Sequence, residues 1–319
     1  MSRGLGDVYK RQQLRKVIYS SLIKLVSKKC ILLDAPYYHN IGDVLIWTGE
    51  QCFLEDNNIQ CIYTASYETC TFPMIDKDVT ILFNGGGNLG DIYHEHMDFL
   101  KSVVKHYPEN RIIVLPQTVY YKDDSLETED YKVLLEHKNF YFCGRDQVVY
   151  KHLQKFFGSH ALLLPDMAFC IPKSRLCPYK LKPTKNKLII AREDCEKGYG
   201  SVSKDGDVSD WPVFMHPFRK STIVNKFFKR TADAKLPLIS LLFNKAWNWY
   251  APHCFNELMI KEGVKFISPY YYVETTRLHG CILSILLNKQ VTLVNNSYGK
   301  NKNFYDSWLS DLDSVQLKS

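Results

Sequence analysis

Four short clusters in this 319-residue chain set charged or imidazole side chains beside glycine, the combination that lets a backbone and a cation close on a small anion. They are His39-Asn40-Ile41-Gly42-Asp43, Asn84-Gly85-Gly86-Gly87-Asn88-Leu89-Gly90-Asp91, Gly144-Arg145-Asp146 and Glu274-Thr275-Thr276-Arg277-Leu278-His279-Gly280. In the first, Gly42 permits close backbone approach and a helix start offers free N–H groups to an anion. A plain N-cap at Asp43 fits the same residues. The glycine run in the second can expose backbone N–H groups as phosphate-binding loops do. It lacks the Gly-Lys-Ser/Thr of a P-loop and the G-x-G-x-x-G spacing of dinucleotide sites, and a tight turn packed on a sheet fits it too. In the third, Arg145 can grip a phosphate or carboxylate with two parallel hydrogen bonds, or merely pair with Asp146. In the fourth, Arg277 and His279 head an otherwise apolar helix, a costly place for a charge unless it meets an anion.

The elements around these clusters say where they must sit. Apolar runs at 31–34, 79–83, 111–115, 140–143 and 161–164 read as buried strands, and 47–57, 97–106, 127–136 and 147–156 as helices. A linker at 172–186, with three prolines and five Lys or Arg, precedes a second series. There, strands are expected at 187–191, 266–267 and 291–294, and helices at 224–229, 251–261 and 277–287. Alternating β and α units imply α/β architecture with largely parallel sheets. Each cluster then falls where a strand hands over to a helix, the edge at which open α/β sheets bind ligands. The expected organisation is a basic N-terminal segment over 1–30, one α/β lobe over 31–175 and a second over 186–319, facing each other across a cleft.

Composition narrows the class. A 45% apolar and 24% charged chain can build a core, and its net charge of +7 suits an anionic ligand, a membrane surface or nucleic acid alike. Its ten cysteines are scattered singly, with no C-x-x-C pair and no zinc spacing, which points to reduced thiols in a cytoplasmic setting and to no metal site. No apolar run approaches the roughly 18 to 20 residues that span a bilayer. Residues 10–29 hold seven Lys or Arg and no acid, with apolar residues at helical spacing. That is an amphipathic helix, either covering the core or touching an anionic membrane face. Residues 1–9 fit neither pattern and read as a non-native leader.

Taken in order, the clusters resemble the polysaccharide pyruvyl transferase family. The likeness rests on Asn40-Ile41-Gly42-Asp43, Gly85-Gly86-Gly87-Asn88, Gly144-Arg145-Asp146, Leu164-Pro165-Asp166, Arg277-Leu278-His279-Gly280 and Lys300, and spans about residues 31–309. It implies two Rossmann-like lobes with a GT-B-like fold. It also implies transfer of the pyruvyl group of phosphoenolpyruvate to sugar hydroxyls as a ketal, in capsule, exopolysaccharide or cell-wall polymer assembly. Arg145, Arg277, His279 and Lys300 match the family's basic donor-site residues, with phosphoenolpyruvate as a donor substrate and no separate cofactor. The acceptor is then a saccharide, free or lipid-linked, met at the inner membrane face in the second case. The residue types agree: two arginines, a lysine and backbone donors can balance phosphate and carboxylate, and His279 can protonate the vinyl C3. Asp43, Asp91 or Glu274 are the candidates for taking the hydroxyl proton.

Two other readings use the same residues. A nucleotide-sugar glycosyltransferase of GT-B shape shares the lobes and the basic cluster, with Glu274 recruited to a ribose. A nucleic-acid or membrane-surface module would use Lys226-Phe227-Phe228-Lys229-Arg230 and the basic helix. No nucleic-acid motif is complete, however, and a pI near 8.7 falls short of a strongly basic footprint, so nucleic acid is not expected as a partner.

Overall fold

The computed structural model describes residues 3–192, 202–203, 205–211, 237–295 and 299–318, and every strand pairing among them is parallel. The first sheet joins β1 (Lys29–Leu33), β2 (Gln60–Ala65), β3 (Thr80–Phe83), β4 (Ile112–Gln117), β5 (Phe140–Gly144) and β6 (Ala161–Leu163) in the order β2-β1-β3-β4-β5-β6. The second joins β7 (Lys185–Ile190), β8 (Asp207–Ser209), β9 (Tyr270–Thr275), β10 (Gln290–Val294) and β11 (Val315–Lys318) in the order β11-β10-β9-β7-β8. The protein is therefore α/β with two parallel sheets. Each sheet reverses its strand order once, between β1 and β3 in the first and between β7 and β9 in the second. Such switch points open a crevice beyond the carboxyl ends of the strands.

The helices of the first lobe are α1 (Arg3–Leu22), α2 (Ile41–Asp56), α3 (His94–His106), α4 (Asp124–Leu135) and α5 (Gln147–Phe157). A short α6 (Lys173–Leu176) follows, then α7 (Pro237–Tyr250), α8 (Asn256–Ile267), α9 (Leu278–Leu286) and α10 (Lys300–Phe304). Because both faces of the first sheet are covered at its centre, β1, β3 and β4 are apolar on both sides. Cys30 and Leu32 point into one core while Ile31 and Leu33 point into the other, the alternation that a strand imposes. The core on the Leu32 side is continuous with that of the second lobe, through α1, α2 and α8. Where α2 meets α8, a Cβ on Gly263 would lie 3.0 Å from Ile41 Cγ2, so the two helices come close.

The basic N-terminal helix is part of this core. Leu14, Ile18 and Leu22, four residues apart, are buried, and residues 6–9 belong to the same helix as those that follow. Several of its cations meet the protein itself: Lys10 pairs with Asp311 at 2.9 Å, Arg15 with Asp56, and Arg11 donates to Ile285 O at 2.9 Å.

Some expectations are corrected. Residues 266–267 end α8 rather than forming a strand, because Met259, Ile260, Val264 and Ile267 make a helical stripe; the strand is the next segment, β9. α2 begins at Ile41, well before Trp47, and Asn40 caps it by accepting from Gly42 N–H at 2.9 Å. The stretch expected as a linker contains α6, and its last two residues belong to β7. A helix expected at 224–229 lies outside the described residues.

Candidate active site

One cleft of about 430 Å³ collects loops from the carboxyl ends of both sheets. From the first lobe come Tyr38, His39, Asn40 and Asp43 after β1, Gly87, Asn88 and His96 after β3, and Arg145 after β5. From the second come Arg192 after β7, Trp211 after β8, Arg277, Leu278 and His279 after β9, and Lys300 after β10.

Asp166 lies at the centre of the polar network. It is 1% exposed and follows the Leu164-Pro165 turn. Its Oδ2 accepts from Arg145 Nη1 at 2.9 Å and lies 3.2 Å from His279 Nε2, while its Oδ1 accepts from Ala168 N–H at 2.9 Å. Burial alone would raise its pKa, but His279, Arg145 and the Ala168 N–H outweigh that and hold it below its ordinary range. Arg145 is thereby fixed, with Nη2 donating to Thr118 Oγ1 at 2.8 Å; its buried Nε has no hydrogen-bond partner among the described residues. Asp146, the other candidate partner for Arg145, instead caps α5, accepting from Val148 and Val149 N–H at 2.9 and 3.0 Å.

Two glycines make room for these side chains. A Cβ on Gly42 would stand 2.5 Å from His279 Nδ1, so only glycine lets the imidazole lie against the head of α2. A Cβ on Gly87 would stand 2.6 Å from Lys300 Nζ and 3.7 Å from Arg145 Nη2, which brings both cations to one spot on the glycine turn. Asp43 faces the cleft from the first turn of α2 and is not the N-cap. Asn40 Nδ2 donates to its carboxylate at 2.7 Å, and the same amide's oxygen caps the helix. Asn88 Nδ2 donates to Tyr38 Oη at 2.8 Å.

Other expected residues are placed differently. Gly85 and Gly86 do not line the cleft, and their N–H groups are spent inside the protein, on Glu50 Oε1 at 2.8 Å and Pro116 O at 3.0 Å. The triple glycine is thus a turn packed on the sheet that delivers Gly87 and Asn88, not an open nest. Glu50 beneath it is 1% exposed; burial pushes its carboxyl well above the usual range, with Asp166 and Asp34 adding to the shift. Glu274 lies outside the cleft, buried between Lys187 and Lys318 at 2.9 and 3.1 Å and accepting from Ser203 N–H at 2.9 Å. Asp91, outside it too, accepts from Lys122 N–H. Arg277 lines the cleft, 8% exposed, with Nε and Nη2 both bonded to the buried Asp210 carboxylate, the latter at 2.6 Å.

The arrangement concentrates Arg145, Arg192, Arg277 and Lys300 around one cavity, a distribution of charge that suits a small, multiply charged anion. Two of its imidazoles, His279 and His96, each touch a buried carboxylate. Among the described residues no group of three or more His, Cys, Asp or Glu side chains is arranged to hold a metal ion, and no helix is long and apolar enough to cross a membrane.

Comparison with known proteins decides the family. The profile of the polysaccharide pyruvyl transferases matches residues 40–298, most of the chain.

The chain belongs to the polysaccharide pyruvyl transferase family.

It is 30% identical over 311 residues to EpsO of Bacillus subtilis (strain 168), a protein carrying a provisional pyruvyl transferase name, covering 93% of this chain and 91% of EpsO. It is 27% identical to Pyruvyl transferase 1 of Schizosaccharomyces pombe (strain 972 / ATCC 24843), covering 91% of this chain and 72% of that protein. In fold it is similar to the crystal structure of an uncharacterized protein from Klebsiella pneumoniae subsp. pneumoniae NTUH-K2044, with a TM-score of 0.64 at 20% identity over 96% of this chain and 98% of that one. As a pyruvyl transferase family member the protein is a transferase enzyme of polysaccharide biosynthesis. Asn40, Asp43, Gly87, Asn88, Arg145 and Arg277–His279, quoted above for the resemblance, thus meet around one cavity, with Asp166 bonded to Arg145 and His279 beside it. Sequence reasoning missed His96, Asp34, Asp210 and Tyr38, and quoted Asp166 without giving it a task. The partners lie far apart along the chain, 62 residues in the case of His96 and Asp34, so no local spacing announces them.

Proposed function

We propose that the cleft binds phosphoenolpyruvate and transfers its pyruvyl group to two hydroxyls of a saccharide as a cyclic ketal, releasing phosphate. The observation that carries this reading is the shared Asp166, which holds an arginine and an imidazole on one buried carboxylate beside Lys300. Phosphoenolpyruvate brings about three negative charges near neutral pH, which suits such a preorganised cationic site. Arg145 and Lys300 take the phosphate and carboxylate, and Arg277, oriented by Asp210, adds to the field. His279, kept in place by Asp166 and Gly42, gives its proton to C3. C2 becomes electrophilic and bonds to the first hydroxyl oxygen. Loss of phosphate then lets the second hydroxyl close the ketal, one hydroxyl proton making good the one given to C3 and the other leaving with the phosphate.

The donor is a substrate, and no separate cofactor takes part. The two parallel sheets flanking the cleft support a GT-B-like reading, in which the acceptor enters opposite the donor, in capsule, exopolysaccharide or cell-wall polymer synthesis. A lipid-linked acceptor would bring the enzyme to the inner membrane face, with exposed Lys16, Lys24 and Lys28 near the N-terminus available to anionic lipid. The glycosyltransferase alternative loses its ribose-reading residue, since Glu274 is engaged outside the cleft. The test is phosphate release from phosphoenolpyruvate in the presence of sugars carrying vicinal or 4,6-hydroxyl pairs, set against consumption of nucleotide sugars with the same acceptors. Acceptor-dependent phosphate release supports the reading; turnover of a nucleotide sugar alone overturns it.

A further inference from the structure

A second imidazole–carboxylate couple, His96 on Asp34, meets the cleft through its imidazole. Asp34 follows β1 in the left-handed region, φ +65°, where a residue other than glycine is uncommon. It is 3% exposed, and both its oxygens lie 2.8 Å from His96 Nδ1. His96 comes from the first turn of α3, is 6% exposed and lines the cavity. The Tyr67 ring packs edge-on against it at 5.1 Å. A buried carboxylate on Nδ1 fixes the tautomer that keeps the proton there and leaves Nε2 as the basic nitrogen.

The charged and titratable groups facing His96 are Asp34 from the end of β1, Glu95 from its own helix, Asp43 from α2 and Tyr67 from the loop after β2. Burial works against the imidazolium, but Asp34, with Glu95 and Asp43 behind it, more than compensates and raises His96 above its ordinary value. Of the carboxylates that line this side of the cleft, Asp43 already accepts from the Asn40 amide.

We propose that His96 is the general base for the acceptor hydroxyl, with Asp34 as its positioning residue; this rests on the pyruvyl transfer reading. As the hydroxyl oxygen bonds to C2, its proton passes to His96 Nε2 while C3 receives a proton from His279. The cleft then holds one imidazole couple for each direction of proton transfer, the acid on Asp166 and the base on Asp34. The C2–O bond to phosphate breaks afterwards, the electron pair leaving with phosphate.

The test uses the full-length enzyme, phosphoenolpyruvate and a diol sugar. Wild-type turnover is measured first, so that a failure of the underlying reading shows before any variant is made. His96→Asn is expected to lose roughly 100-fold or more in kcat, within the range of general-base catalysis, while binding phosphoenolpyruvate within about threefold of wild type in calorimetry. The limb of the kcat profile that rises with pH should vanish in it. Asp34→Asn keeps the left-handed backbone and removes the charge that raises His96, so its rising limb should move to lower pH and its plateau should fall. A purely structural role for Asp34 would leave that limb where it stands. A His96→Asn enzyme within about threefold of wild-type kcat, or an Asp34→Asn limb that does not move, overturns the proposal while leaving phosphoenolpyruvate as donor.

Discussion

Gly42 and His279 meet across the space where a side chain would stand: a Cβ at position 42 would lie 2.5 Å from His279 Nδ1 and 2.9 Å from its Cγ. The helix that carries Asn40 and Asp43 is in this way seated on the imidazole that Asp166 orients. Gly42→Ala should push the ring off Asp166. Overpacking of this kind typically costs about 1 to 3 kcal/mol. The expected outcome is a folded enzyme with a modestly lower Tm and a kcat reduced by about tenfold or more, since small misplacements of a reacting group are expensive in rate. Unchanged kcat with an unchanged melting curve would show that the ring tolerates displacement.

Arg277 does two things at once, and its removal should be seen in stability as well as in rate. It neutralises Asp210, which is 3% exposed and would otherwise be a buried carboxylate without its guanidinium partner. Breaking such a pair from one side costs about 3 to 5 kcal/mol. Arg277→Ala should therefore lower the midpoint of urea unfolding, and Asp210→Asn should recover part of the loss when combined with it. Additive losses in the double variant, measured as a mutant cycle, would contradict the coupling.

Glu274 is a stability residue of the second sheet. Burial tends to raise its pKa, but Ser203, Lys187 and Lys318 win and bring it down to about 2. The folded value lies below the unfolded one, so the contribution is present above pH 4.5 and fades as the pH falls toward 2. Glu274→Gln should lower Tm at pH 7 with kcat largely preserved, and the gap between variant and wild type should narrow through that acid window. A gap that is independent of pH would contradict the ion network.

Much of this was legible in the sequence, and the parts that were not have physical reasons. The central parallel strands of the first sheet are buried on both faces, so β3 and β4 read directly as apolar runs. Edge strand β2 alternates between exposed and half-buried residues, and β11 is short and mixed, so neither stands out. Residues 266–267 are apolar in either conformation, and the helical stripe behind them decides. In the site, cations next to glycine are legible because both features are local. What each cation pairs with is not, since Asp210 lies 67 residues from Arg277 and Asp166 lies 113 from His279. The glycine turn illustrates the limit: its composition suggests an anion nest, but Glu50 and Pro116 take the N–H groups of Gly85 and Gly86.

The central claim, that His279 on Asp166 protonates phosphoenolpyruvate in this cleft, is tested most directly by NMR of the product formed in D₂O from 3-¹³C-labelled phosphoenolpyruvate and a diol sugar. The account predicts a pyruvate ketal whose methyl carries one deuterium from solvent, formed in step with phosphate. It also predicts that His279→Gln, which keeps a hydrogen-bonding side chain but no transferable proton, loses roughly 10² to 10⁴ in rate while still binding the donor. A ketal formed by His279→Gln within about threefold of the wild-type rate, or a wild-type enzyme that releases phosphate without any labelled ketal, would contradict it.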